Sequence, residues 1–177
     1  MSKSFTDLIH ERRSIRSFDS TPVEIDKINR IMEKIILCPN AGNQQAYYIY
    51  AVTNRSKIEA ICKASGQGWV QQAPLLFVFC CECKDHFYGR RGLELYALQD
   101  ATIAQTYAVL ACQEEGLKSC WVGSFSESEV SSILQIPSHL RPVGILPCGY
   151  STANPRHERT RKEVSDTFTL YKFCVSS

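Results

Sequence analysis

The chain has 177 residues, of which 44% are hydrophobic and 21% are charged, as is typical of a folded protein long enough to bury a core. Twenty basic and eighteen acidic residues leave a formal charge of +2, too small to predict general nucleic-acid binding. The longest apolar run, Leu75 to Cys81, has seven residues, so neither a signal peptide nor a membrane span is predicted. We therefore expect one cytoplasmic domain over residues 1–177.

Helices and strands follow one another without a regular βαβ order. Apolar residues at helical spacing predict five helices, over residues 4–12, 21–37, 56–65, 99–116 and 126–134. Runs rich in branched and aromatic residues predict five strands, over residues 47–53, 73–83, 119–122, 141–150 and 167–175. This order favours an α+β fold with a central mixed or antiparallel sheet flanked by helices.

Some of these elements carry a more specific expectation. Thr21-Pro22-Val23-Glu24 has the capping-box residues with proline at the first helical position, which predicts a helix start there. The apolar strand 73–83 is expected at the centre of its sheet, and Pro147 is expected near a strand end or in an edge strand. Apolar residues lie almost all round helix 99–116, which favours a dimer because one copy covers such a helix only with help.

The chain contains nine scattered cysteines and no secretory signal, which argues against a disulfide framework. Most have apolar neighbours, so buried reduced thiols are the expected state. The group Cys80-Cys81-Glu82-Cys83 admits a metal site as an alternative, with His86 as the only nearby partner. Because no second Cys/His pair stands at zinc-finger spacing, we expect no metal.

Four segments carry groups that suit a ligand site. Arg12-Arg13-Ser14-Ile15-Arg16 offers guanidinium groups whose geometry matches phosphate oxygens. The loop 39–45 is dense in side-chain amides, and the loop 121–125 offers backbone N–H groups at a strand end. A second basic cluster spans residues 156–162. Each segment alone is also typical of a solvated surface or a simple turn.

No set of residues for hydrolysis or for nucleotide binding by a glycine-rich loop assembles in this sequence. Ser14 and Ser124 lack the G-x-S-x-G context, and Gly66-Gln67-Gly68 lacks a third glycine and a following helix. A bound cofactor is therefore expected to supply any demanding chemistry.

Taken together, eight motifs resemble the FMN-dependent nitroreductase family in order and spacing, from about residue 5 to 165. They are Glu11 to Phe18, Pro39 to Gln45, Gln72-Ala73-Pro74, Tyr88 to Gly92, Asp100-Ala101, Gly116 to Phe125, Ile136-Pro137 and Pro147 to Tyr150. The resemblance implies an α+β homodimer with FMN at the subunit interface and a C-terminal arm over residues 165–177.

The same resemblance implies roles for the basic segment. Arg12 and Arg13 would meet the FMN phosphate or ribityl end, with Ser14 beside them. Arg16 would lie near the pyrimidine edge of the ring, where a positive charge stabilises reduced flavin. From the tail, Arg159 or Arg161 would close on the phosphate.

Other positions follow from the loop motifs. Backbone N–H groups of Gly123 and Ser124 would face the flavin N5 region, and Gln67 would contact the ring edge. From the other subunit, three residues would reach FMN: Asn40, Ala41 and Asn43. Two departures stand out, since Ala46-Tyr47 replaces the usual small hydrophobic or Pro-Trp pair and the tail lacks the usual Pro-Leu step.

The implied function is an oxidoreductase that passes hydride from NADH or NADPH through flavin N5 to a nitroaromatic, a quinone or a similar acceptor by a ping-pong mechanism. No side chain is expected to act as an acid or base. Two alternatives stay open. One is a flavoenzyme of the same fold with another reaction, such as metabolite dehydrogenation or reductive dehalogenation. The other is a flavin-binding redox sensor with little turnover.

Overall fold

A four-stranded antiparallel sheet forms the centre of the computed structural model, which describes residues 4–155 and 158–171. In the order β1-β2-β4-β3, the strands are β1 Tyr47–Val52, β2 Leu75–Glu82, β3 Lys118–Ser119 and β4 Leu140–Gly149. The helices are α1 Phe5–Glu11, α2 Ile25–Ile35, α3 Arg55–Ser65, α4 Gly89–Arg91, α5 Ala97–Glu114 and α6 Glu127–Leu134. This architecture confirms the predicted α+β class.

Short helical turns complete the described chain. The 3-10 turns are Ala41–Asn43, Gly68–Gln72 and Val164–Asp166, and a π-helical turn, Gly92–Tyr96, joins α4 to α5. Within the described ranges, no helix combines the length and apolar character that crossing a membrane requires.

Strand β2 is central, as its sequence predicts, and it separates two hydrophobic cores. Side chains alternate between the two faces of a strand. Leu76, Val78 and Cys80 therefore pack with α3 and α6 on one face, whereas Leu75 and Phe77 pack with α2 and α5 on the other. Every residue from 75 to 81 is buried, so β2 and its two cores fix the positions of the surrounding helices.

Helix α5 packs its alanines against the sheet. Ala97, Ala101, Ala104 and Ala108 are all fully buried, and such small side chains let a helix approach its neighbours closely. The outward face of α5 consists of Gln99, Thr102, Ile103, Thr106 and Leu110, which are exposed or half-buried. The described residues of this copy therefore cover the helix on one side only.

The predicted start of α2 at Thr21 is wrong. The helix begins at Ile25, and Glu24 at its N-cap makes no side-chain capping bond. The Glu24 carboxylate instead accepts a hydrogen bond from the Tyr150 hydroxyl at 2.6 Å, and Lys27 donates to the same hydroxyl at 2.7 Å. The Glu24 carboxylate is therefore bound by a residue 126 positions away in the chain and takes no part in the predicted capping box.

The prediction for Pro147 is confirmed, whereas the prediction of a last strand needs correction. Pro147 lies near the end of β4, as expected, but β4 runs between β2 and β3 and is not an edge strand. The Pro147 carbonyl accepts from the Cys120 N–H at 3.2 Å, so the missing proline N–H removes only one bond of a short pairing. Residues 167–171 of the predicted last strand form no strand, and residues 172–175 lie outside the described residues.

A charged cluster joins α2 to the end of α5. Glu115 accepts hydrogen bonds from the Arg30 guanidinium at 2.9 and 3.1 Å and from the Lys34 ammonium at 2.7 Å. The bonds from Arg30, followed by those from Lys34, lower the pKa of Glu115 to about 2. The carboxylate therefore stabilises the folded state while it is ionised.

We expect Glu115→Gln to lower the free energy of unfolding at neutral pH by about 1 kcal/mol. Because the folded pKa lies below the unfolded value of about 4.3, this contribution is present above that value and is lost as the pH falls towards about 2. Urea unfolding of both proteins across this range measures it. The control Glu114→Gln removes only the 2.7 Å contact with Lys34 and should lower the free energy of unfolding less. A difference in this free energy between wild type and Glu115→Gln that does not change with pH would contradict the account.

Candidate functional site

The arginine-rich segment leaves α1 as an extended chain held against β3. Ser14 pairs in parallel with Ser119, and the Ile15 N–H donates to the Ser119 carbonyl at 3.1 Å. Ile15 is buried, whereas Ser14 and Arg16 on either side of it are exposed. The extended backbone therefore turns these two polar side chains outward together.

Four guanidinium groups form what we call the basic cluster: Arg12, Arg13, Arg159 and Arg161. Arg159 crosses the end of α1 and donates to the carbonyl oxygens of Ile9, at 2.8 Å, and of Arg12. The pKa of Arg12 is lowered, first by partial burial and then by the positive charges of the other three members. Such a concentration of like charges favours an anion as its ligand.

Arg156 and His157, which belong to the same downstream basic segment in the sequence, lie outside the described residues. Arg159 and Arg161 both lie near Arg12, and the prediction that one of them closes on the FMN phosphate stays a prediction. Among the described residues Arg161 donates to the carbonyl of its neighbour Thr160, whereas Arg159 donates to two carbonyls of α1 and its end, so Arg159 is the more firmly held there.

Cys120 lies beneath this segment as a buried thiol. Burial raises its pKa, while the charge of Arg16, a hydrogen bond with Ser14 and the charge of Arg12 act in the opposite direction. Ser14, Arg12 and Arg16 therefore lie around one sulfur atom, so the structure brings these three predicted residues to one place. The contacts of Cys120 with these residues could not be predicted from the sequence, because they depend on the Ser14–Ser119 pairing.

A second group of contacts lies beyond Arg16. The Arg16 guanidinium lies over the Trp69 ring, 5.9 Å from the centroid. The Gln67 amide donates to the Ser124 carbonyl at 3.4 Å. Gly123 and Ser124 are exposed, and their N–H groups donate to no partner within the described residues. This arrangement leaves a cation, an amide and two backbone donors available to a ligand.

The loop that holds Asn40, Ala41 and Asn43 is fixed by a buried carboxylate. Asp100 of α5 is only 1% exposed, and it accepts from the Ala41 N–H at 2.9 Å and the Ala46 N–H at 3.4 Å. Asn40 accepts from the Gln45 N–H at 3.0 Å. The loop is therefore held by α5 and by its own side chains.

Tyr88 packs against this loop from outside. A Cβ atom added to Gly42 would lie 2.3 Å from the Tyr88 hydroxyl, and Gly42 has a φ of +57°. Both the close approach and the left-handed backbone require glycine there. Asn43 also has a positive φ, of 57°, which asparagine tolerates better than most residues.

Within one copy, the loop and the basic cluster are separate. Among the described residues, no hydrogen bond or shared cavity joins Asn40, Ala41 or Asn43 to Arg12, Arg16 or Ser124. The structure therefore brings the predicted residues together in two groups, at two places on the molecule.

These two groups lie at opposite ends of the outward face of α5. A cavity of about 680 Å³ at one end is lined by Asn40, Ala41, Thr102 and Ile103, among others. A cavity of about 410 Å³ at the other end is lined by Arg12, Thr106, Leu110 and Trp121, among others. The largest cavity, of about 850 Å³, contains none of the predicted site residues.

The cysteines form no metal site in the part of the chain that the structure describes. Cys80 and Cys81 are buried, whereas Cys83 is exposed, and no group of three or more His, Cys, Asp or Glu side chains is placed to hold a metal there. Seven of the eight described cysteines are buried, as the apolar neighbours predict. Cys174 lies outside the described residues.

Sequence reasoning did not assign roles to Asp100, Trp69 or Tyr88. Asp100 had one available signal, since it is a carboxylate in an otherwise apolar helix, and such a residue needs partners when buried. Trp69 and Tyr88 gave no comparable signal, because their contacts with Arg16 and Gly42 depend on the tertiary fold.

Comparison with known proteins agrees with this fold and with the motif order. The model of the nitroreductase family matches residues 9–73 and 56–150. A relative from Methanothermobacter thermautotrophicus, described as a putative NADH dehydrogenase/NAD(P)H nitroreductase, is 29% identical over 84% of this chain and 78% of its own length. The FMN reductase [NAD(P)H] of Bacillus subtilis is also 29% identical, over 84% of this chain and 64% of its own length.

A solved structure supports the same fold. The NfrA1 nitroreductase from B. subtilis superposes with a TM-score of 0.86 over 98% of this chain and 76% of that chain, at 22% identity. The family model covers most of the sequence, and the fold agrees with it. The chain therefore belongs to the nitroreductase family of oxidoreductases.

Proposed function

We propose that this protein is an FMN-dependent oxidoreductase that transfers hydride from NADH or NADPH, through flavin N5, to a small acceptor such as a nitroaromatic or a quinone. The observation that carries the proposal is the basic cluster at one end of a surface that also presents Arg16, Gln67 and the free N–H groups of residues 123–124. FMN carries a phosphate at one end and a polar ring edge at the other, and this donor set fits both.

The basic cluster would hold the phosphate. Arginine remains charged at any working pH and binds phosphate oxygens in pairs, and Ser14 adds a hydroxyl beside Arg12. Arg159 is already oriented by the carbonyl oxygens at the end of α1. An anion bound here relieves the repulsion among the four guanidinium groups, which supports a phosphate as the ligand.

Arg16, Gln67 and the 123–124 backbone would meet the ring. Stacking on Trp69 limits where the Arg16 guanidinium can move, so its positive charge stays near the position expected for the pyrimidine edge. Bound FMN would supply the hydride chemistry at N5, and the proton that completes reduction of the acceptor would come from water, so that no acid or base from the protein is proposed. The N–H groups of Gly123 and Ser124 would donate to the N5 region.

Two copies of the chain would complete each site. A twofold axis across the outward face of α5 would exchange its two ends, so the loop of one copy would lie beside the basic cluster of the other. Exposed apolar side chains near the 410 Å³ cavity, Phe5, Ile9, Tyr107 and Trp121, support an interface there. Asn40, Ala41 and Asn43 would then reach the cofactor from the partner copy.

A thiol-based redox sensor is not favoured over an enzyme. Burial raises the pKa of Cys80 to about 12 and raises that of Cys81 and of Cys120. Thiols of raised pKa hold little reactive thiolate at neutral pH.

Steady-state kinetics test the proposed reaction. The FMN-loaded protein should oxidise NADH or NADPH continuously when 1,4-benzoquinone is present. Because donor and acceptor would use the same cleft in turn, double-reciprocal plots at several quinone concentrations should be parallel. Intersecting lines would reject the ping-pong order, and a single turnover followed by arrest would favour a sensor.

Arg12→Ala tests whether the basic cluster binds the phosphate of FMN. Charge-assisted hydrogen bonds contribute about 1.5–3 kcal/mol each, so the dissociation constant for FMN should rise about 10- to 100-fold. The backbone carbonyl that Arg159 binds is retained in this variant. Flavin fluorescence quenching measures the constant, and Arg55→Ala, which removes an exposed arginine paired with Glu59 on α3, is the matched control. Equal affinities for wild type and Arg12→Ala would refute the assignment.

Thr106→Glu tests the shared site. Thr106 is exposed near the middle of the outward face of α5, so a negative charge there should barely change the stability of a single copy. In the proposed dimer, however, it would lie close to the same charge of the other copy. We expect a monomer in sedimentation velocity and a loss of FMN binding together. Ser132→Glu on α6, also at an exposed position, should leave both unchanged. A monomer that retains wild-type FMN affinity would contradict the two-copy site.

A further inference from the structure

Arg91 is an arginine whose guanidinium is oriented by a tyrosine. Its Nε donates to the Tyr96 hydroxyl at 3.0 Å, and its guanidinium lies 5.6 Å from the centroid of the Tyr96 ring. Among residues 4–155 and 158–171, no carboxylate forms an ion pair with it. The neighbouring Arg90, by contrast, pairs with Glu94 at 3.2 Å.

The ring that orients Arg91 lies in the wall of a cavity. Tyr96 lines the 680 Å³ cavity together with Asn40, Ala41 and apolar side chains of α5. Tyr88 packs edge-on against Tyr96, with 5.6 Å between ring centroids, and it also contacts the loop at Gly42. Arg91 itself does not line this cavity, but it lies against Tyr96, which does, and among the described residues its Nη groups form no ion pair with a carboxylate.

This combination suits a planar ligand that carries an anionic group. Apolar and aromatic walls favour a flat ring, and the two Nη groups of arginine bind a carboxylate or a phosphate in bidentate fashion. A guanidinium fixed beforehand by a tyrosine loses less conformational entropy when it binds.

We propose that Arg91 binds the anionic group of a planar ligand that enters the 680 Å³ cavity beside the Asn40–Asn43 loop. The inference rests on the proposed function, in which this loop lies near the cofactor of the partner copy. Two ligands of that function share the chemistry. One is an aromatic acceptor with a carboxylate, and the other is NADPH, which differs from NADH by its 2′-phosphate.

Calorimetric titration of the FMN-loaded protein, without any turnover, tests the proposal. The first pair of ligands is 4-nitrobenzoate and 4-nitrobenzamide, which match in size and differ in charge. The second pair is NADP⁺ and NAD⁺. In at least one pair, wild type should bind the more anionic member more tightly, and Arg91→Gln should reduce that preference about tenfold. The pair that responds identifies the source of the anion.

Arg90→Gln is the matched control, because it removes the same charge one position away from a side chain that already has a carboxylate partner. It should change either preference by less than about twofold. Wild type without preference in either pair, or a preference that Arg91→Gln leaves intact, would overturn the proposal. If the quinone assay shows no hydride transfer, the proposed function fails. The titrations measure binding without turnover, so their outcome tests the role of Arg91 separately.

Discussion

The buried carboxylate of Asp100 is the interaction on which the candidate site depends. It accepts from the Ala41 and Ala46 N–H groups, and so ties the loop and the start of β1 to the first turn of a long helix. Ala46 is buried, and its N–H would lack a partner without this bond, which carries a desolvation cost of about 1–3 kcal/mol. The same contact shapes the wall of the 680 Å³ cavity, because Asp100 and Ala41 both line it.

Helix α5 transmits this constraint to the rest of the molecule. Its alanines pack on the sheet around β2, and its outward face carries the loop at one end and Arg12 at the other. In a single copy this separation divides the predicted site into two halves. In the proposed twofold assembly, the loop of one copy would meet the basic cluster of the other. The length of α5 therefore explains both why the two groups lie apart in one copy and why they would meet between two copies.

The sequence predicted the parts of the fold whose signals are local. The apolar run of β2 and the helical spacing in α3, α5 and α6 were sufficient to place these elements. The start of α2 was not predictable, because Tyr150 takes the Glu24 carboxylate. The candidate site divides in the same way. The arginine-rich segment was visible in the sequence, and Asp100 had a signal as a carboxylate in an apolar helix. The contact of Trp69 with Arg16 could not be predicted, because it forms only once strands and helices are packed.

The visible absorption spectrum of the purified protein, recorded without oxygen before and after NADH or NADPH is added, tests the central claim most directly. The account predicts a flavin band at about 450 nm, present on purification or after incubation with FMN and removal of unbound FMN, that disappears when the nicotinamide is added. A spectrum that lacks this band after the same treatment would contradict the account, because the basic cluster would then be a charged surface and not a phosphate-binding site.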